Sequence, residues 1–294
     1  MHRGESGEAW LGKGPKMPVK HIRGVDIVYE VLGDSGPWVT VTPGGRRGLM
    51  AERPLAALIA DAGYRVLIHD RRNMGASGIA FPGDNESREQ AEDLLALLQA
   101  LATGPAYIAG SSSGARMSIL LAQHHPQAVK ALLLWRVTGG DYAAKRLAFN
   151  YYEQYIDSVT QGGIDAVLAT EHFAAMAKAN PVNAETLRQM GAASFEASMR
   201  RWLAGFRADC DFPVAGISPR NMRQIAVPAI IIPGNDKVHP PGPAQAAHRM
   251  LSNSVYHEVL TQQVDADVDF VGWEHATGTL AARFIDFLRV QQRI

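Results

Sequence analysis

The sequence lacks the features that mark several large protein classes. It has one cysteine, Cys210, so neither an intrachain disulfide nor a cysteine-rich zinc site can form and the fold must rest on packing. It has no excess of charge: 29 Lys plus Arg face 29 Asp plus Glu. A chain without a basic excess offers little to a phosphate backbone or an anionic membrane, which argues against nucleic-acid and membrane partners. No apolar run approaches the roughly 18 residues of a membrane span. The best candidates, Ala131 to Trp135 and Val227 to Pro233, have only strand length. The first twenty residues contain acids, glycines and prolines and no signal-peptide apolar stretch, so residues 1–19 read as a flexible extension and the expected address is the cytoplasm. No H-x-x-x-H or H-E-x-x-H spacing suggests a metal, and no G-x-G-x-x-G follows the first strand, so neither metal nor dinucleotide cofactor is expected.

What is present suits a large soluble core: 294 residues, 47% of them hydrophobic. Strand-like segments (Val25 to Val31, Trp38 to Thr42, Arg65 to His69, Ala106 to Ala109, Val129 to Val137, Val227 to Ile232, Ser254 to Leu260) alternate with helical ones (Arg53 to Ala62, Glu86 to Leu101, Gly114 to about His124, Ala276 to Gln291). Continuous apolar strands such as VKALLLWRV are expected where helices cover both faces of a sheet. The order predicts an α/β fold, a mainly parallel sheet flanked by helices. From about Gly139 to Asn221 the pattern is almost all helical, with Cys210 to Arg220 as an irregular return path. The chain therefore divides into an α/β core of residues 20–138 and 222–294 and an inserted all-helical unit of residues 139–221.

One segment carries chemistry. Gly110-Ser111-Ser112-Ser113-Gly114 lies between a buried strand and a helix, which is where G-x-S-x-G has mechanical meaning. A turn that sharp needs small residues two before and two after its centre, and it lifts the Ser112 hydroxyl above the sheet. Serine is a weak nucleophile that needs a base, and the base needs an acid to orient it. In hydrolases with this turn the chain order is serine, acid, histidine. Asp236 follows the strand Ala229 to Ile232, and His275 follows in Gly272-Trp273-Glu274-His275 ahead of the last helix. Asp141, after the Val129 strand, is a rival acid. Asp265, Asp267 and Asp269 read as solvated loop carboxylates.

These residues make the chain resemble the α/β-hydrolase superfamily over about residues 20 to 294, with a helical cap inserted after the sixth strand. Asp70 to Ser77 resembles the family's D-x-R-G-x-G-x-S loop, with Asn73 at its first glycine, and reads as structural. The resemblance implies a Ser112, His275, Asp236 triad working through an acyl-enzyme. Where the family usually has His-Gly after its third strand, this chain has Pro43-Gly44-Gly45-Arg46-Arg47. The implied oxyanion donors are the N–H groups of Gly45 and Ser113. Serine at 112 argues against the branches that use an aspartate nucleophile.

Arg46, Arg116 and Arg136, with Trp135 and Trp202, are the candidate substrate contacts; an arginine among them would suit a carboxylate. His239, near the acid loop, could line the entrance but reads better as a surface turn, and His69 reads as a packed, hydrogen-bonded strand-end residue. The implied function is hydrolysis of a small, carboxylate-bearing ester or lactone. Carbon–carbon bond hydrolysis of a vinylogous diketone is the neighbouring reading. A ligand sensor of slow turnover and a cofactor-free oxygenase are readings from other classes. The expected partner is a small molecule, and homo-oligomerisation is left open.

Overall fold

Residues 17–293 are described by a computed structural model. The expected extension falls almost entirely on residues 1–16, outside that range. Eight strands form one sheet: β1 (Val19–Ile22), β2 (Val25–Leu32), β3 (Trp38–Thr42), β4 (Arg65–His69), β5 (Ala106–Ser111), β6 (Val129–Trp135), β7 (Ala229–Ile232) and β8 (Ser254–Tyr256), in the order β1-β2-β4-β3-β5-β6-β7-β8. The β1–β2 and β2–β4 pairs are antiparallel and the rest are parallel. Sequence reading misses β1 because the polar VKHI leaves only Ile22 buried.

The continuous apolar strands serve two cores at once. In β6, Leu132 and Leu134 pack on one face while Ala131, Leu133 and Trp135 pack on the other; in β7, Ala229 and Ile231 oppose Ile230 and Ile232. This is the period-2 alternation of a strand covered on both sides. The first face receives α2 (Glu86–Ala100), α3 (Ser113–His124) and α10 (Pro241–Met250); the second receives α1 (Arg53–Asp61) and α12 (Thr277–Gln291). Leu133, Ile232 and Phe284 are fully buried, so truncating any of them to Ala costs about 2–5 kcal/mol.

From β6 to β7 the chain is helical: α4 (Asp141–Ala148), a π-helical step over Phe149–Glu153, α5 (Gln154–Leu168), α6 (Glu171–Ala179), α7 (Val182–Met190), α8 (Ala192–Asp209) and α9 (Pro219–Met222). Helix α5 is kinked at Gly162 and Gly163, the latter at φ +67°. These helices, except α9, share a third apolar core built on Tyr152, Phe173, Phe195 and Trp202, and Phe81 and Val238 of the α/β part enter it. Trp202 is therefore a packing residue: it is fully buried, meets the Phe81 ring at a tilt of 58° and donates Nε1–H to the Pro82 carbonyl at 3.0 Å. Trp135 is likewise a core residue, edge-on to Phe284.

The Asp70 loop is a local frame. Asp70 accepts N–H bonds from Leu49 at 2.6 Å and Ala76 at 2.8 Å, and Asn73 sits at φ +61°, with its amide exchanging bonds with Ala80. Among the described residues no helix is long and apolar enough to cross a membrane.

Candidate active site

Strand register brings the site together. Ser111 pairs with Trp135 and Trp135 with Ile232 across β5, β6 and β7. The next residues, Ser112, Arg136 and Pro233, therefore leave the sheet side by side at its C-terminal edge, where open α/β sheets place their ligands. Ser112 holds φ +54° and ψ −114°, a strained conformation for a residue with a side chain. Its neighbours explain why the turn tolerates only glycine around it. A Cβ on Gly110 would strike the Gly114 carbonyl, one on Gly114 the Thr42 carbonyl, and one on Gly44 would stand 2.7 Å from the Ser112 Cβ.

The histidine beside Ser112 is His239. Its Nε2 lies 2.9 Å from Ser112 Oγ and its Nδ1 2.7 Å from Asp236 Oδ1. Since an ionised carboxylate only accepts, Nδ1 carries the proton and Nε2 is free to accept from the serine. Both residues are buried, His239 at 3% exposure and Asp236 at 2%. Asp236 Oδ1 also accepts the His239 backbone N–H at 2.8 Å, and Oδ2 the Asp269 N–H at 2.9 Å.

The sequence expectation for His275 is thereby corrected. His275 closes a short helix, α11 (Phe270–His275), is solvent-exposed, and bonds neither Ser112 nor Asp236. Trp273 of the same helix points inward instead, donating to Asn235 at 2.9 Å. The reading of His239 as a surface turn is overturned by the same distances. The rival acid Asp141 is exposed and paired with Lys145 at 2.8 Å. Asp267 is tied to Arg146 and Tyr142, and Asp269 caps α11 through Gly272 N–H, so these two loop acids have partners.

Charge around the dyad is set by Arg136. It holds φ +55°, its Nη2 is 3.2 Å from Asp236 Oδ2, and its guanidinium lies against the rings of Phe270 and Trp273. Burial works against ionisation of Asp236, but the bonds from His239 and Asp269 and the charge of Arg136 outweigh it and bring its carboxyl down to about 2. Burial, with Arg136 adding to it against the pull of Asp236, pushes the His239 imidazole down to about 4. The base is neutral across the ordinary pH range.

On the opposite side stands the loop Pro43 to Gly48. Gly45 is at φ +57°, and Ser113 is the first residue of α3, so its N–H is one of the helix's free donors. Arg71, 2% exposed, ties the two together: it donates to the Gly45 carbonyl at 2.7 Å and to Ser113 Oγ at 3.0 Å. Sequence reading passed over Arg71 as part of a structural loop. Arg46 is bonded to Glu86 and, at 2.8 Å, to the Tyr151 carbonyl. Arg116 lies outside the main cavity, with Nη2 3.3 Å from Thr138 Oγ1 and its guanidinium over Phe206. Of the five proposed substrate contacts, only Arg46 and Arg136 line that cavity.

The cavity measures about 560 Å³ and opens over Ser112 and His239. Gly44 to Arg47 form one wall, Leu147, Tyr151 and Tyr155 of the helical insertion the roof, and Val238, Val268 and Phe270 the far side. Such a volume suits a small organic ligand.

Residues 38–139 match the family described as alpha/beta hydrolase fold. A hydrolase of Bacillus subtilis, YraK, described as uncharacterized, is 32% identical over 113 residues, 38% of this chain and 41% of that protein. The chain thus spans about two fifths of the length of the curated relatives it matches. Among solved structures, the enol-lactonase from Burkholderia xenovorans LB400 superposes with a TM-score of 0.63 at 20% identity, covering 92% of this chain and 100% of the other. The meta-cleavage product hydrolase CumD from Pseudomonas fluorescens IP01 superposes with a TM-score of 0.63 at 16% identity, covering 92% and 97%. The chain has the α/β-hydrolase fold.

Proposed function

We propose that the protein is a serine hydrolase that cleaves a small, carboxylate-bearing ester or lactone through Ser112, His239 and Asp236. The observation that carries this reading is the continuous chain of two hydrogen bonds, Ser112 Oγ to His239 Nε2 at 2.9 Å and His239 Nδ1 to Asp236 Oδ1 at 2.7 Å. The hydrolase names and fold of its relatives support it.

The reaction follows from this geometry. His239 Nε2 takes the Ser112 proton as Oγ bonds to the substrate carbonyl carbon, and the carbonyl electron pair moves onto oxygen. The N–H groups of Gly45 and Ser113 hold that oxyanion, with Arg71 fixing the two segments relative to each other. Asp236 keeps the imidazole in the productive tautomer and balances its positive charge. The tetrahedral species collapses as the carbon–oxygen bond to the leaving group breaks, and His239 returns its proton to the departing alkoxide. Water, deprotonated by His239, then attacks the acyl-enzyme; the Ser112 ester bond breaks, His239 returns the proton to Ser112 Oγ, and the acid leaves. The helices between β6 and β7, the expected 139–221 unit, act as the cap that roofs the acyl pocket and excludes bulk water.

The test is intact-mass spectrometry after exposure to a fluorophosphonate, on wild type, Ser112→Ala, His239→Ala and His275→Ala. One adduct is expected on wild type, none on Ser112→Ala, labelling slowed by about 10³-fold or more in His239→Ala, and a wild-type rate in His275→Ala. Loss of labelling in His275→Ala with retention in His239→Ala overturns the assignment of the base. A following panel of esters, lactones and vinylogous diketones separates carbon–oxygen from carbon–carbon cleavage.

A further inference from the structure

Four arginines line the cavity above Ser112: Arg46, Arg47, Arg136 and Arg146. Three of them have carboxylate partners: Arg46 has Glu86, Arg136 has Asp236 at 3.2 Å, and Arg146 has Asp267 at 2.8 Å. Arg47 does not. Among the described residues its guanidinium makes neither an ion pair nor a side-chain hydrogen bond, and it is held over the ring of Phe270, 4.8 Å from the centroid. Glu52, whose charge both Arg47 and Arg136 feel, forms an ion pair with neither. A guanidinium held over a ring is positioned without using its N–H donors, which leaves them free to present a fork to a carboxylate.

Its placement gives the fork a purpose. Arg47 stands two residues beyond Gly45, on the loop that walls the catalytic serine and against Phe270; the same cavity is lined by apolar Leu147, Val238 and Val268, and of its two carboxylates Asp267 is paired with Arg146 while Glu171 has no arginine partner among the described residues. A single free cation beside an apolar wall fits one negative charge on a hydrocarbon spacer. A phosphate dianion would call for a second free cation, and the other three are engaged.

We propose that Arg47 is a substrate-anchoring residue that binds a carboxylate carried by the substrate, so that the protein acts on monoanionic half-esters or acid-bearing lactones whose two functional ends lie a short hydrocarbon chain apart. This rests on the hydrolase reading of Ser112, and it puts Arg47 in place of Arg46, Arg116 and Arg136 as the residue selecting acidic substrates.

The experiment compares kcat/KM for the mono-p-nitrophenyl esters of succinate, glutarate and adipate with that for p-nitrophenyl esters of neutral acyl chains of equal length. It uses wild type, Arg47→Gln and Arg47→Lys. A charge-assisted fork is worth about a 10- to 100-fold preference for the monoacids. Wild type is expected to show that preference with a maximum at one chain length, Arg47→Gln to bring the ratio near one through KM, and Arg47→Lys to recover part of it. A neutral preference in wild type, or an unchanged ratio in Arg47→Gln, overturns the proposal. Calorimetric titration of wild type and Arg47→Gln with glutarate reads the anchor without turnover, and at least 10-fold weaker binding by the variant is expected; equal affinity overturns the anchor. Fluorophosphonate labelling of wild type reads the serine alone, so failure of the hydrolase reading and failure of the anchor give different results.

Discussion

His69 makes a quantitative test of the buried structure. It ends β4, is 1% exposed, and among the described residues neither ring nitrogen has a hydrogen-bond partner. It is packed, as its sequence position suggests, but it is not hydrogen-bonded. Burial, with the nearby Arg71 charge adding to it, pushes the imidazole from 6.5 down to about 3. The folded protein therefore keeps His69 neutral while the unfolded chain takes up a proton below about pH 6.5. The unfolded state binds more protons in that interval, so stability falls as pH falls, by about 1.4 kcal/mol per pH unit between about 6.5 and 3. At pH 5 this amounts to about 2 kcal/mol, and at pH 7.5 to almost nothing.

Replacing His69 with Leu removes this linkage. Any packing cost of the substitution is present at both pH values and cancels in the comparison. The expected result is that His69→Leu gains about 2 kcal/mol relative to wild type on going from pH 7.5 to pH 5, measured by urea denaturation at each pH. His172 and His239, pushed down to about 3 and about 4, contribute in the same direction, and Glu52, pushed up to about 7 by burial, in the opposite one. Those contributions are common to both proteins. Parallel pH dependences in wild type and His69→Leu would refute the assignment of His69 as a buried neutral group.

Arg136→Met removes the charge that stands 3.2 Å from Asp236 Oδ2 and 3.4 Å from His239 Nδ1. Because that charge disfavours the imidazolium, its loss is expected to raise the acid limb of kcat/KM from about 4 by roughly one pH unit; an unmoved limb contradicts the role given to Arg136. Arg71→Met frees the Gly45 carbonyl and Ser113 Oγ from their common donor, and kcat is expected to fall about 10- to 100-fold with KM little changed. Arg71→Lys should recover part of that loss, and an effect on KM alone would exclude a role in holding the oxyanion donors. Gly44→Ala would press a methyl to 2.7 Å from the Ser112 Cβ and 3.0 Å from the Ser111 carbonyl oxygen, so fluorophosphonate labelling should be lost while circular dichroism shows a folded protein.

The fold was legible because its signals are dense and local. Buried parallel strands must be apolar on both faces, and VKALLLW and AIII could serve no other purpose so well. The nucleophile turn was legible for a steric reason, since small residues at 110 and 114 are demanded by the carbonyls of Gly114 and Thr42. Less legible was where the edges fall. Strand β6 stops at Trp135, short of Val137, because Arg136 takes a left-handed backbone to reach Asp236, and nothing in the residue type announces that. The arginines were flagged as a group, but which of them is free depends on which carboxylates the fold delivers, a long-range fact. Glu86 is 40 residues from Arg46, and Asp236 is 100 from Arg136.

The base was misplaced for a reason that the structure makes physical. The expectation of a late histidine assumes that acid and base come from separate loops. Here they belong to one turn, in which the Asp236 carboxylate accepts both the backbone N–H and the ring N–H of the residue three positions on. An aspartate that captures the N–H at i+3 forms a tight local turn by itself. That turn holds the His239 ring against its own acid through contacts local in sequence. Gly234 is the second half of the arrangement, because a Cβ there would collide with the His239 backbone and side chain. The pattern Gly-x-Asp-x-x-His after a buried strand was therefore a readable signal for an acid–base pair. Its consequence is that the triad is set by the register of two strands, β5 and β7, with Arg136, the residue just past the strand between them, clamping the acid. The segment after β8 supplies no base and supports the site instead: Asp269 N–H holds Asp236, and the Phe270 ring lies against both Arg136 and Arg47.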